Sequence, residues 1–242
     1  MGAALRDISH NGRVLLVVAA PAEARAVAAG FGLGRDWSGP AAAWDWPVVP
    51  LAGGVDLLET GVGKVNAAAA AAVRGPSYGA VINLGVCGAL PVADPPRIGD
   101  CVLASASVYA DEGVQTETGF QTVPEMGFAL GPFAGAGVPC DGALLGALSP
   151  LAGRVAPVAT VSTCSGTDAL ARAVALRTGA AAEAMEGAAV GHALARLAPS
   201  TRFAELRVVS NTTGDRARQR WDLGGALARL TGLVAALAGS RT

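Results

Sequence analysis

The run Val14-Leu15-Leu16-Val17-Val18-Ala19-Ala20 breaks at Pro21 and passes into Ala22-Glu23-Ala24-Arg25-Ala26. A short Val-rich run of this kind reads as a central parallel strand, Val14–Ala19, buried on both faces. Proline suits the first turn of a helix, so Pro21 opens a helix over Pro21–Ala29. Arg6 and Arg13 lie ahead of the run and imitate a short secretory signal. The β-branched composition favours the strand. No apolar stretch of about eighteen residues stands free of helix–strand punctuation, so no membrane span is expected.

The alternation continues outward from this unit. Val55–Thr60 reads as a strand, Gly61–Gly63 as a turn, and Lys64–Val73 as an alanine helix. Ala80–Leu84 reads as a buried strand that ends in a glycine-rich turn, Gly85-Val86-Cys87-Gly88, and Cys101–Tyr109 as a long β segment. Asp111–Pro139 is rich in Gly, Pro, Glu and Phe and reads as loops, a lid or an interface segment. Regularity returns with a strand over Pro157–Ser162. Thr167 caps a helix that Gly179 ends. A short strand over Ala180–Glu183 precedes a helix from Glu186 to Ala198; a strand over Phe203–Ser210 and a closing helix, Asp222–Leu237, complete the chain.

Alternating β and α units imply an α/β fold of three layers: a mixed, mostly parallel central sheet flanked by helices. With no repeat and no long linker, the 242 residues are expected to form one domain, 1–242. Ligands of such folds bind beyond the carboxyl ends of the strands. That rule singles out Glu23, Gly61–Gly63, Gly85–Gly88, Met185-Glu186 and Ser210-Asn211. Hydrophobic residues make up 52 % and charged residues 15 %, enough for a large core. The net charge of −1, with no basic patch and no acidic tail, argues against a nucleic-acid partner. Cys87, Cys101, Cys140 and Cys164 have no CxxC spacing, so neither a zinc site nor a redox motif is indicated. They read as reduced thiols of a cytoplasmic protein.

Four motifs carry a resemblance. Gly61-Val62-Gly63-Lys64-Val65-Asn66-Ala67-Ala68 resembles the early motif of purine-nucleoside phosphorylases and methylthioadenosine nucleosidases. Asn83-Leu84-Gly85-Val86-Cys87-Gly88-Ala89 resembles their second glycine turn, Met185-Glu186-Gly187-Ala188-Ala189 their ribose-binding segment, and Arg207-Val208-Val209-Ser210-Asn211 the strand that ends at their base-binding acid or amide. Each is weak alone; in family order over residues 14–237 they are specific. Within that superfamily, Ser210-Asn211-x-x-Gly214-x-Arg216 followed by Trp221 resembles the futalosine hydrolases. Pro21-Ala22-Glu23 and Glu125-Met126-Gly127-Phe128 do so too. The resemblance implies a phosphorylase/hydrolase-like fold and cleavage of a purine ribosyl bond without cofactor or metal. For futalosine hydrolases the product is hypoxanthine, in menaquinone biosynthesis. The resemblance also implies a homo-oligomer, with 111–139 as the candidate contact.

Cleaving a nucleoside bond leaves positive charge on the ribose and negative charge on the purine. Glu186 can accept hydrogen bonds from ribose hydroxyls and favour the cationic sugar, beside an apolar wall from Met185. Asn211 can donate to N7 and O6 of a 6-oxopurine, where the nucleosidases place an aspartate suited to adenine. Asn83 and Val86 stand where related phosphorylases carry the Arg and Ser that hold phosphate, so water is the expected nucleophile. Glu23 is the candidate to orient or deprotonate it, with Arg207 as a second polar partner. Val86, Cys87 and Gly88 of the second glycine motif are expected to line the substrate. Ser165 and Gly166, within Ser162–Thr167, resemble the base-flanking loop. Trp221 or Phe120 can supply an aromatic face, and either also reads as core. Arg216 can meet the carboxylate of a futalosine tail.

Other signals fail. Gly63-Lys64 is no P-loop, because Leu58 and Val65 stand at its required positions. Asn66 removes a dinucleotide fingerprint. His10 and His192 belong to no metal-spaced cluster, and Gly-x-Ser-x-Gly is absent. Two further readings stay open: a phosphorylase or methylthioadenosine/adenosylhomocysteine nucleosidase, and a non-catalytic nucleoside-binding protein.

Overall fold

The computed structural model describes residues 12–34, 37, 39 and 45–239. The expectations that touch Arg6 and His10 fall outside the described residues. The first strand, β1 (Val14–Val18), is buried at every position. Pro21 then starts α1 (Pro21–Gly30). Ala20 has no capping side chain of its own. Glu23 turns back instead, and its Oε2 accepts from the Ala19 and Ala20 N–H groups at 3.1 Å each. The Glu23 carboxylate therefore closes the helix start.

β2 (Val48–Pro50) and β3 (Val55–Glu59) lead to α2 (Lys64–Arg74), and β4 runs over Ala80–Ala89. β5 (Cys101–Tyr109) is followed by a hairpin, β6 (Gly113–Thr116) and β7 (Gly119–Thr122), then by β8 (Gly137–Pro139) and α3 (Gly142–Leu148). The second half holds β9 (Arg154–Thr160), α4 (Asp168–Thr178), β10 (Ala182–Ala184), α5 (Gly187–Leu197), β11 (Arg202–Thr212) and α6 (Leu223–Ala238). Thr167 Oγ1 caps α4 by accepting from the Leu170 N–H at 3.1 Å, and Gly179 ends it in the left-handed region at φ 64°.

The main sheet runs β10-β9-β5-β11-β4-β1-β3-β2, with β8 added on β5. β1 lies parallel to β3 and β4, β11 to β4, and β9 to β5 and β10. β2–β3, β5–β8 and β5–β11 are antiparallel. β10 also pairs antiparallel with β4, Glu183 opposite Gly88, so five strands close into a small ring inside the larger sheet. One face carries α1, α3 and α6 over a core that includes Leu16, Ile82, Leu206 and Leu230. The opposite face carries α2 and α5 over Leu15, Val81 and Leu194. These are the three expected layers. No helix among the described residues is long and apolar enough to cross a membrane.

Two expectations are corrected. Gly85–Gly88 is not a turn; it is the second half of strand β4, paired along its length with β11. A Cβ at Gly85 would lie 2.7 Å from Arg207 Nη1 and collide with the Glu23 carboxylate, so its glycine permits close approach rather than a bend. The 111–139 stretch is not loop alone, since it holds β6, β7 and β8. Its start is anchored by Lys64, whose Nζ lies 2.5 Å from Asp111 and 2.7 Å from Glu112.

Candidate active site

The carboxyl ends of β1, β3, β4 and β11 converge as the fold class requires. Glu186 precedes α5, and its Oε1 accepts from the Gly63 N–H at 3.1 Å. The turn after β3 is thereby joined to a carboxylate distant in sequence. Glu186 Oε2 accepts from Arg207 Nη2 at 3.1 Å and lies 3.3 Å from the Met185 N–H. Arg207 Nε donates to Glu205 Oε1 at 2.8 Å, and its Nη2 also donates to Asn83 Oδ1. Ser107 Oγ donates to the other Glu205 oxygen. Glu23 Oε1 accepts from the Val86 N–H at 2.8 Å.

These groups are buried, with Arg207 at 1 % and Glu186 at 3 % exposure. Buried charge is tolerated when paired and hydrogen-bonded. Burial alone would lower the Arg207 pKa, but Glu205, Glu186 and Glu23 together outweigh it and hold the guanidinium firmly charged. For Glu23 burial wins, and its pKa lies above the ordinary 4.5; Arg207 and the Val86 and Ala20 N–H groups offset this in part, while Glu186 adds to the rise. Three carboxylates thus share one guanidinium, an environment suited to a cation.

The other end of the site is a cavity of about 410 Å³. Gly88, Ser165, Gly166 and Asn211 line it, with Glu183, Arg216 and Trp221. Asn211 Nδ2 donates to the Thr212 carbonyl at 3.0 Å. A carbonyl can only accept, so this bond fixes the amide orientation and leaves one Nδ2 hydrogen for a ligand. Ser210 Oγ lies 2.9 Å from Asn211 Oδ1 and 3.2 Å from the Cys87 carbonyl. Cys87 itself is buried, so it offers backbone here rather than a thiol. The loop holding Ser165 and Gly166 is tied to the tail motif: Gly214 N–H donates to the Ser165 carbonyl at 3.2 Å and Arg216 N–H to the Gly166 carbonyl at 3.0 Å.

Strand β4 links the two ends. Gly85 faces Glu23 and Arg207, whereas Gly88 faces Asn211. Three residues of extended chain span about 10 Å, the scale of a nucleoside. On β11, Arg207 pairs with Gly85 and Asn211 with Gly88, with a bulge between Val209 and Asn211. A bulge of this kind re-aims a side chain beside a site.

Met185 is half-buried against the core beneath α4. Trp221 is half-exposed at the cavity, with the Arg216 guanidinium 4.9 Å from its ring centre. Arg216 Nη1 donates to Gln219 at 2.8 Å, while Arg218 takes the ion pairs with Asp168 and Asp215. Phe120 does not line this cavity; its ring centre lies 4.4 Å from the Arg177 guanidinium. Asn83 is fully buried and spent on Arg207 and the Val17 carbonyl, so it presents nothing to an anion. His192 is held between Tyr109 and Arg196. No group of three or more His, Cys, Asp or Glu among the described residues is placed to hold a metal ion.

Sequence reading missed Glu205 and Glu183. Their signal was present: an acid inside an apolar strand, two residues before Arg207 in one case and within an alanine run in the other.

The family model described as the phosphorylase superfamily matches residues 13–238. A futalosine hydrolase of Streptomyces coelicolor is 38 % identical over 204 residues, which cover 78 % of this chain and 80 % of that one. The chain belongs to the phosphorylase superfamily, and within it to the futalosine hydrolases. Another member of this family, from Thermus thermophilus, is 38 % identical over 185 residues, covering 75 % and 80 %. Among solved structures, the methylthioadenosine/adenosylhomocysteine nucleosidase of Colwellia psychrerythraea, in complex with adenine, superposes with a TM-score of 0.72 at 22 % identity over 95 % of both chains. A futalosine hydrolase mutant of Helicobacter pylori gives 0.70 at 15 %, over 94 % of this chain and 99 % of that one. These two likenesses bear on the fold.

Proposed function

We propose that this futalosine hydrolase family member cleaves the N-glycosidic bond of futalosine with water, releasing hypoxanthine and dehypoxanthine futalosine in menaquinone biosynthesis. The observation that carries the reading is the Glu186–Arg207 pair bound to Gly63 at one end of the β4 segment, with Asn211 at the other. Glu186 accepts from the ribose hydroxyls, and the surplus of carboxylate stabilises the cationic sugar. Met185 provides the apolar wall.

Water attacks C1′ as the C1′–N9 bond breaks. Glu23 takes the proton that water loses, the OH stays on C1′, and the purine leaves with the bond pair and takes up a proton from solvent, to which Glu23 later returns its own. The free Asn211 N–H stabilises the charge gathering on N7 and O6. Val86, Cys87 and Gly88 run alongside the substrate, and Ser165 and Gly166 flank the base. Arg216, without a carboxylate partner among the described residues, meets the carboxylate of the futalosine tail. Asn83 and Val86 support water over phosphate: one is buried and spent, the other apolar.

The chain acts as one domain, in the cytoplasm, where its four free cysteines stay reduced. A second copy packs against the 111–139 stretch. In support, Phe128 is 64 % and, near the anchored Lys64, Val65 is 84 % exposed.

The test is incubation with futalosine, inosine and methylthioadenosine, with and without phosphate, reading free base by chromatography. Hypoxanthine from futalosine without phosphate is expected. Release that requires phosphate would move the chain to the phosphorylases, and adenine release would overturn the base assignment. Binding without turnover would make it a nucleoside-binding protein.

A further inference from the structure

Glu183 lies where the closing of β10 onto β4 brings it opposite Gly88. A Cβ at Gly88 would lie 3.1 Å from Asn211 Nδ2 and 3.6 Å from Glu183 Cγ, so both side chains reach the same point beside that strand. Both line the same cavity. Glu183 Oε1 accepts from the Ser165 N–H at 2.8 Å and Oε2 from Ser165 Oγ at 2.6 Å. Each carboxylate oxygen has two lone pairs, so one on each stays available. Glu205 and Glu186 share Arg207, but no cation within ion-pair distance compensates Glu183 among the described residues. A buried carboxylate without a cation calls for further N–H donors. Burial does push its pKa up, and the two Ser165 bonds hold that rise back in part.

A 6-oxopurine offers such a donor next to the edge that Asn211 reads, because N1–H adjoins O6. Adenine carries an acceptor at N1. We infer that Glu183 is a specificity-determining residue, accepting the N1–H of the 6-oxopurine whose N7–O6 edge faces Asn211. The inference rests on the proposed release of a 6-oxopurine, so its test measures base binding without turnover, and hydrolysis of futalosine by the unaltered protein tests that reading separately.

Binding of hypoxanthine, 1-methylhypoxanthine and adenine would be compared by calorimetry in the unaltered protein and in Glu183→Gln. Glutamine keeps the size and can still accept the Ser165 N–H. Its amide NH₂ would then face the base. Hypoxanthine binding is expected to weaken about 10- to 100-fold, the range for a lost hydrogen bond to a charged group. Binding of 1-methylhypoxanthine should stay unchanged and that of adenine should improve. A structural role limited to holding Ser165 would weaken all three alike, and that result overturns the inference. Equal discrimination in both proteins overturns it too, as does an absence of hypoxanthine binding to the unaltered protein.

Discussion

Arg207 sets the charge balance of the site, because it is the shared partner of Glu186 and Glu205 and lies close to Glu23. The consequence falls on Glu23. Burial raises its pKa above 4.5, so it ionises at higher pH than an exposed glutamate. In the proposed reaction its base form accepts the proton of water, so the acid limb of kcat/KM should lie above the usual carboxylate range. Glu23→Gln should remove both that limb and most of the activity, as a pH–rate profile would show. The stability linkage has the opposite sense: the contribution of Glu23 is greatest below its unfolded value and declines as pH rises through the folded one. In the proposed reaction Asn211 meets the leaving base. Asn211→Asp should lower hypoxanthine release by about 100-fold, since a carboxylate facing O6 repels where the amide donates. Kinetics with futalosine and methylthioadenosine would read the change in selectivity.

Among the elements, β4 does most to place chemistry. Its glycines were legible in the sequence, but their conformation was not. Gly85-Val86-Cys87-Gly88 carries the composition of a turn, and local propensity reads it so. Pairing with β11 holds it extended instead. Gly85→Ala therefore inserts a methyl group against Glu23 and Arg207 rather than straining a turn. The expected loss is about 1–3 kcal/mol in denaturant unfolding, accompanied by a fall in kcat as Glu23 is displaced. The caps of α4 at Thr167 and Gly179 were legible, because they depend on side chains adjacent in the chain. The β6–β7 hairpin was not, since the Gly- and Pro-rich composition of the 111–139 stretch around it hides a two-stranded register.

At the scale of the whole molecule, two apolar layers hold the sheet and so hold the rim. Leu16 is fully buried between β3 and β4 in the core beneath α1 and α6. Leu16→Ala should cost about 2–5 kcal/mol, through lost burial and the cavity left behind. Chemical denaturation would measure that loss, and at temperatures where the variant remains folded its KM should change little. The alternation of strands and helices, and the gathering of Glu23, Gly63, Glu186 and Asn211 at the carboxyl ends of the strands, were determined by the sequence. Hydrophobic period, capping residues and motif order are local properties, readable along one chain. Only the tertiary structure decided that Glu205 and Asn83 brace Arg207, that Phe120 lies by Arg177 and not in the Asn211 cavity, and that Glu183 joins Asn211 across Gly88. Those contacts arise from strand register, a bulge in β11 and the closure of β10 onto β4. Each depends on residues far apart in the chain, whose meeting is set by packing and not by spacing.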